Sequence, residues 1–140
     1  VGHGAESLAD GVRGTTDRKD GRWIGFLGKS SEAVIDFHEA RTVRSVRVGC
    51  LQEQVSRIFY PTSVEVSCSD DGKHYREAGS IGNGQPRLDA EIRIHDFTVS
   101  FKSVTARFFK VRILNCGTCP PWHESTGKQA WILLDDVIIK

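Results

Sequence analysis

The chain has 140 residues, of which 26% are charged, and a formal net charge of +1. A balance this near to neutral, with Lys and Arg spread along the chain, argues against a nucleic-acid patch or an electrostatic membrane anchor. No apolar run approaches the ~20 residues that span a bilayer, so no membrane span is expected. The length suits one domain, 1–140, with a core of its own. The 14 glycines and the many Val, Ile, Thr and Phe residues suit an all-β chain. The chain opens on Val1 and contains no Met, and we read it as a piece of a longer protein whose targeting signal lies elsewhere.

In chain order, a Gly- and Asp-rich first loop (8–26) precedes strands expected at 32–37 and 42–51. In the second of these, Val46, Val48 and Cys50 fall on one face. A second loop, 51–61, follows. At 63–69, Val64, Val66 and Cys68 alternate with Glu65, Ser67 and Ser69, the period-2 pattern of a half-buried strand. Asp71-Gly72 then supplies a tight hairpin turn into a short strand at 75–78. Strands at 92–101 (Phe97, Val99, Phe101) and 107–115 (Phe109, Val111, Ile113 opposite Lys110 and Arg112) repeat the alternation. A third loop, 115–131, leads into a last strand at 131–139. No segment shows a sustained helical period. Short, regularly spaced strands imply a sandwich or barrel, in which function sits on loops held by a rigid scaffold.

Several residues invite a chemical role that their surroundings do not support. Cys50 and Cys68 are in phase with core positions and read as buried thiols, with a 50–68 disulfide left open. Cys116-Gly-Thr-Cys119 is a lone C-x-x-C with only His123 nearby, too few ligands for zinc, so a local disulfide is the better alternative. Trp23 and Trp131 sit among apolar neighbours and should be mostly buried. His3, His38, His74 and His95 read as surface residues without ligand spacing. No nucleophile elbow, phosphate loop or H-E-x-x-H is present, and no catalytic residue is assigned.

The third loop offers better chemistry. A sugar presents a face of C–H groups that packs on an aromatic ring, with hydroxyls radiating outward, so a site needs one exposed aromatic and a few directed hydrogen-bonding groups. Pro120-Pro121 stiffens the approach to Trp122-His123, which should stand near a loop tip. In the second loop, Gln52, Gln54, Arg57 and Phe59 place amides, a guanidinium and a ring on one short segment.

The order of motifs resembles the F5/8 type C, or discoidin-like, domains and the family 32-like carbohydrate-binding modules. It runs L-A-D-G at 8–11 and Trp23, I-D-F at 35–37, S-D-D-G at 69–72, A-R-F-F-K-V at 106–111 and D-D-V-I-I at 135–139. The match covers about 7–139. Three stretches (10–26, 48–61 and 115–123, the last reading N-x-G-x-C-P-P-W-H) are most similar to C-terminal domains of bacterial β-hexosaminidases, or chitobiases.

The resemblance implies a galactose-binding-like β-sandwich jelly roll of about eight main strands. It implies a structural calcium ion held by the carbonyls of Leu8 and Val12 with Asp10, Thr15 and Asp136, although the family more often has Glu at the last position and a shorter loop. It also implies that the second and third loops face each other across a binding end. The function to expect is non-catalytic binding of glycans carrying galactose, N-acetylgalactosamine or N-acetylglucosamine. The domain would be attached to a secreted, periplasmic or cell-surface glycoside hydrolase. A structural domain packing on its catalytic neighbour is one alternative. A phospholipid- or protein-binding module is the other, disfavoured by the neutral charge and by loops without a cluster of Leu or Phe spikes.

Overall fold

The computed structural model describes Thr16 and residues 21–140. The chain is all-β. Its strands are β1 (Ile24–Leu27), β2 (Ser31–Gln52), β3 (Ser63–Ser69), β4 (Arg76–Gly82), β5 (Arg93–Leu114) and β6 (Trp131–Ile139). They hydrogen-bond in the order β1-β6-β2-β5-β3-β4, every neighbour antiparallel.

β2 and β5 are each 22 residues long, and this makes one ladder into a sandwich. β6 pairs only with the second half of β2, Val46 to Leu51. β3 pairs only with the second half of β5, Phe108 to Leu114. The two long strands therefore pass from one layer into the other. Register shifts between Asp36 and Arg41 and between Val43 and Ser45 mark the crossing. Such bulges sharpen local twist and let a sheet fold over on itself. Counting β2 and β5 twice turns six strands into the expected eight, and the four expected segments 32–37, 42–51, 92–101 and 107–115 are the four half-strands.

The expected alternation sets the core. Val46, Val48, Cys50, Val64, Val66, Cys68, Phe97, Val99, Phe109, Val111, Ile113, Ile132 and Leu134 belong to one buried cluster drawn from both layers. Cys50 and Cys68 are buried free thiols within it. On the outer face of the β1-β6-β2 layer, Leu51, Leu133, Ile58 and Trp23 make a second cluster with Trp131 against it.

Strand β1 departs from the expected first loop, 8–26, and runs through Gly25, a residue that in a strand often marks close approach of another group. The space above it explains the residue: a Cβ there would lie 3.1 Å from the Trp131 ring. β4 likewise runs through Gly79 to Gly82, beyond its expected end at 78.

At the crossing, β2 residues 37–40 bulge out, and His38 adopts the left-handed conformation (φ 64). Asp36 holds the bend. Its Oδ1 accepts the His38 amide (2.7 Å), and its two oxygens accept Arg107 Nε (2.7 Å) and an Arg107 terminal nitrogen (2.9 Å). The Arg107 guanidinium, with the His38 amide adding to it, holds the Asp36 carboxyl down from its ordinary 3.8 to about 2. The folded state thus binds this proton more weakly than the unfolded state. Its contribution to stability is complete above the ordinary carboxylate range and is lost as pH falls toward about 2. We expect the stability advantage of the wild type over Asp36→Asn to shrink as pH is lowered through that window. Thermal melts of both proteins against pH check it, and a constant difference down to the acid end would contradict it.

Candidate functional site

Strand ends decide where the loops gather. Leu27 pairs with Trp131, Gln52 with Arg93, Ser31 with Ile113, and Ser63 with both Leu114 and Gly82. All of these termini lie at one end of the sandwich. That end carries the 28–30 turn and the loops 53–62, 83–92 and 115–130. The second and third loops of the sequence reading are the 53–62 and 115–130 loops, and they do meet. The 83–92 loop is an addition to this end that sequence reasoning misses.

The 115–130 loop is fastened at both of its ends. The Asn115 side-chain amide donates to the carbonyls of Phe26, Lys29 and Ala130, at 3.2, 3.2 and 2.9 Å. At the tip, the His123 amide closes a turn onto the Pro120 carbonyl, which sets Trp122 outermost. The Thr126 hydroxyl bonds carbonyls of the same turn. Trp122 is 40% exposed, against 8% for Trp23, while Trp131 is half-buried. The exposed indole is not loose. Phe59 meets it edge-on at 6.3 Å between ring centres and His123 lies beside it at 6.0 Å, a geometry favoured by aromatic quadrupoles.

His123 joins this loop to the 53–62 loop. It is buried, and its Nε2 donates to the Gln54 carbonyl at 2.6 Å while its Nδ1 accepts the Ser125 amide at 2.9 Å. These partners fix the neutral tautomer with the proton on Nε2, and they use both ring nitrogens. Phe59 is fully buried, packed with Cys119, Ala130 and Cys116 and 5.5 Å from the His123 ring. Its ring faces protein on every side, because the third loop folds over it. The geometry makes Phe59 and His123 supports for Trp122 rather than surfaces of their own.

Gln52 and Gln54 are also buried, and the reason is the 83–92 loop. The Gln54 amide donates to the Arg87 carbonyl (2.7 Å) and accepts the Asp89 amide (2.9 Å). Gln52 donates to the Asp89 carboxylate (3.0 Å) and more distantly to the Glu91 carbonyl (3.4 Å). Both side chains therefore hold backbone in place. Arg57 ends a 3-10 turn at Gln54–Ser56 in the left-handed conformation (φ 64), with its side chain half-buried. Its carbonyl accepts the Trp131 amide at 2.8 Å.

Two clefts flank this arrangement. One, of about 260 Å³, is walled by Trp23, Trp131, Ile58 and Leu133 over Gly25. Its one side-chain hydroxyl, that of Ser56, donates to Glu53. The other, of about 300 Å³, lies between Tyr60 and the 83–93 segment and is polar. Val55 and Leu88 stand 76% exposed on two of the loops, apolar tips beyond those expected from the sequence.

The C-x-x-C pair holds free thiols, with Cys116 Sγ donating to the Thr118 carbonyl at 3.4 Å. Burial pushes both thiols up, which keeps them protonated at neutral pH.

Of the calcium set, Leu8, Asp10, Val12 and Thr15 lie outside the described residues. Asp136 is buried beside Asp135. Val48 pairs with Val137 and Cys50 with Leu134, so Asp135 and Asp136 together stand opposite the single Gly49 in a β-bulge. Among the described residues no cluster of three His, Cys, Asp or Glu side chains is placed to hold a metal. No helix among them is long and apolar enough to cross a membrane.

An antiparallel sandwich with its loops gathered at one end and an aromatic at a loop tip defines a class of β-sandwich binding domain. The F5/8 type C domain model matches residues 2–133, and the chain belongs to that family. No curated protein matches it. Among solved structures it is similar to the CBM32 module of AlyQ, solved in complex with 4,5-unsaturated mannuronic acid. The identity is 18%, over 97% of this chain and 84% of that one, and the TM-score is 0.55. It is also similar to CBM32-1 from a family 31 glycoside hydrolase of Clostridium perfringens, with 17% identity over 96% and 82% of the two chains and a TM-score of 0.53. The C-terminal domain of a Bacteroides fragilis chitobiase matches at 18% identity over 79% of this chain, which spans 62% of that one, with a TM-score of 0.48. The fold is that of carbohydrate-binding modules of the CBM32 type.

Proposed function

We propose that this domain binds glycans without catalysis and holds an attached glycoside hydrolase near its substrate. The observation that carries the reading is Trp122, an indole held half-open at the tip of the loop end by buried neighbours. Such a ring is the stacking surface that a sugar's C–H face requires, and Arg57 stands in the adjoining loop. The parent we propose is a secreted, periplasmic or cell-surface β-N-acetylhexosaminidase or chitobiase, on the strength of stretches 10–26, 48–61 and 115–123. Glycans ending in galactose, N-acetylgalactosamine or N-acetylglucosamine are the ligands to test. An open site buries little of a sugar, so affinity per site should be about 4–6 kcal/mol, in the millimolar to high-micromolar range. Tethering still raises the local substrate concentration seen by the parent.

A glycan-array screen beside a phosphatidylcholine/phosphatidylserine vesicle pull-down tests the reading. Glycan binding without vesicle binding supports it. The exposed Val55 and Leu88 favour the membrane alternative, and vesicle binding without any glycan signal would establish that instead.

The calcium site remains part of the proposal. Carbonyls of Leu8 and Val12 with Asp10, Thr15 and Asp136 are hard oxygen donors suited to calcium, and bulges such as the one at Asp135-Asp136 re-aim side chains beside functional sites. A cation joining the first loop to the last strand would stabilise the native state by linkage. We expect a lower Tm in chelator than in calcium with sugar binding retained, and equal Tm values would count against the ion.

A further inference from the structure

The 300 Å³ cleft between Tyr60 and the 83–93 segment differs from the Trp122 platform in its chemistry. Its lining includes Gln85, Arg87, Leu88, Asp89 and Arg93. The Asp89 carboxylate is already committed: it accepts Arg93 Nε at 2.8 Å, the Gln52 amide at 3.0 Å and the Glu91 backbone amide at 3.1 Å. Arg93 is thereby neutralised. Three other lining groups have no such use. Among the described residues, the Arg87 guanidinium makes no ion pair or hydrogen bond, and neither the Gln85 amide nor the Tyr60 hydroxyl has a hydrogen-bond partner.

The backbone around these groups is held in place. Gln54 bonds the Arg87 carbonyl and the Asp89 amide on either side of Leu88, and the Asn83 side chain donates to the Pro61 carbonyl at 3.3 Å. The Tyr60 ring packs on Phe97 at 5.3 Å, which fixes its direction. A pinned loop thus presents one unneutralised guanidinium and two neutral hydrogen-bonding groups around a space that holds about one sugar ring.

We propose that this cleft is a second glycan subsite, selective for a carboxylate-bearing sugar. The planar guanidinium of Arg87 matches a carboxylate with two parallel hydrogen bonds, the strong charge-assisted kind. Gln85 and Tyr60 serve ring hydroxyls, and Leu88 offers an apolar edge to C–H groups. The inference rests on the loop end being a glycan-binding surface, and it is independent of the Trp122 platform.

Glucuronate and glucose separate the two sites, since they differ only in carrying a carboxylate or a hydroxymethyl group. Backbone-amide chemical shifts of the whole domain would be followed during titration with each sugar. Residues 83–89 should shift with glucuronate, at a half-saturation roughly tenfold or more below that of glucose. Arg87→Gln should erase that preference with Tm unchanged, because the Arg87 side chain holds nothing in the fold. Trp122→Ala should leave the preference intact. Equal responses to the two sugars, or a preference that survives Arg87→Gln, would overturn the proposal. Arg87-dependent glucuronate binding without any Trp122-dependent binding of neutral sugars would support it while removing the platform. The converse pattern would overturn this subsite alone.

Discussion

Replacing Phe59 with alanine is expected to destabilise the domain by about 3–5 kcal/mol, the range for truncating a buried aromatic. For a domain of this size that lowers the Tm by roughly 10–20 °C. Phe59 is fully buried, and its ring ties the two main loops together, with His123 at 5.5 Å, Trp122 at 6.3 Å, and Cys119 and Ala130 beneath. Sugar binding should weaken as well, because the cavity removes the wall that holds the Trp122 ring. Phe59→Leu should recover most of the stability. Differential scanning calorimetry on both variants checks this. An unaltered Tm in Phe59→Ala would mean that the ring belongs to the surface and contacts ligand directly.

Phe59 shows where local sequence information stops, since its residue type suits a sugar surface and a core alike. Alternation places Val64, Val66 and Cys68 in the core, and the same period places Phe109, Val111 and Ile113, because a strand's two faces are decided by its own pleat. The breaks expected at 38–41 and 102–106 are real bends, but pairing resumes on the far side of each register shift, so β2 and β5 each join two expected strands. Nothing in the local pattern distinguishes a bend that keeps its ladder from one that ends it. β1 escapes the pattern because the justification for Gly25 lies in Trp131, which is distant in sequence.

The loop end is legible only in part. That the 53–62 and 115–130 loops meet follows from the family resemblance, and Pro120-Pro121 correctly suggests an outward Trp122. Gln52, Gln54 and His123 carry polar groups that suit a sugar as well as they suit a backbone. The structure spends those groups on the 83–92 backbone and on the Gln54 carbonyl. That loop carries Asn83-Gly84 and Pro86, ordinary turn signals, and nothing in them says what it packs against. Burial of a polar side chain by a loop some 30 residues away is a tertiary fact that local patterns do not encode.

If the exposed indole at the loop tip is where the sugar binds, Trp122→Ala abolishes binding of the best array glycan, since the stacking face is gone. The Tm should fall only slightly, because the ring's outer face is in solvent and its inner contacts are edge-on to Phe59 and His123. Isothermal titration with that glycan and thermal unfolding, both on the same variant, make the test. Lost binding with a near-native Tm is the predicted result; binding equal to that of the wild type would contradict it.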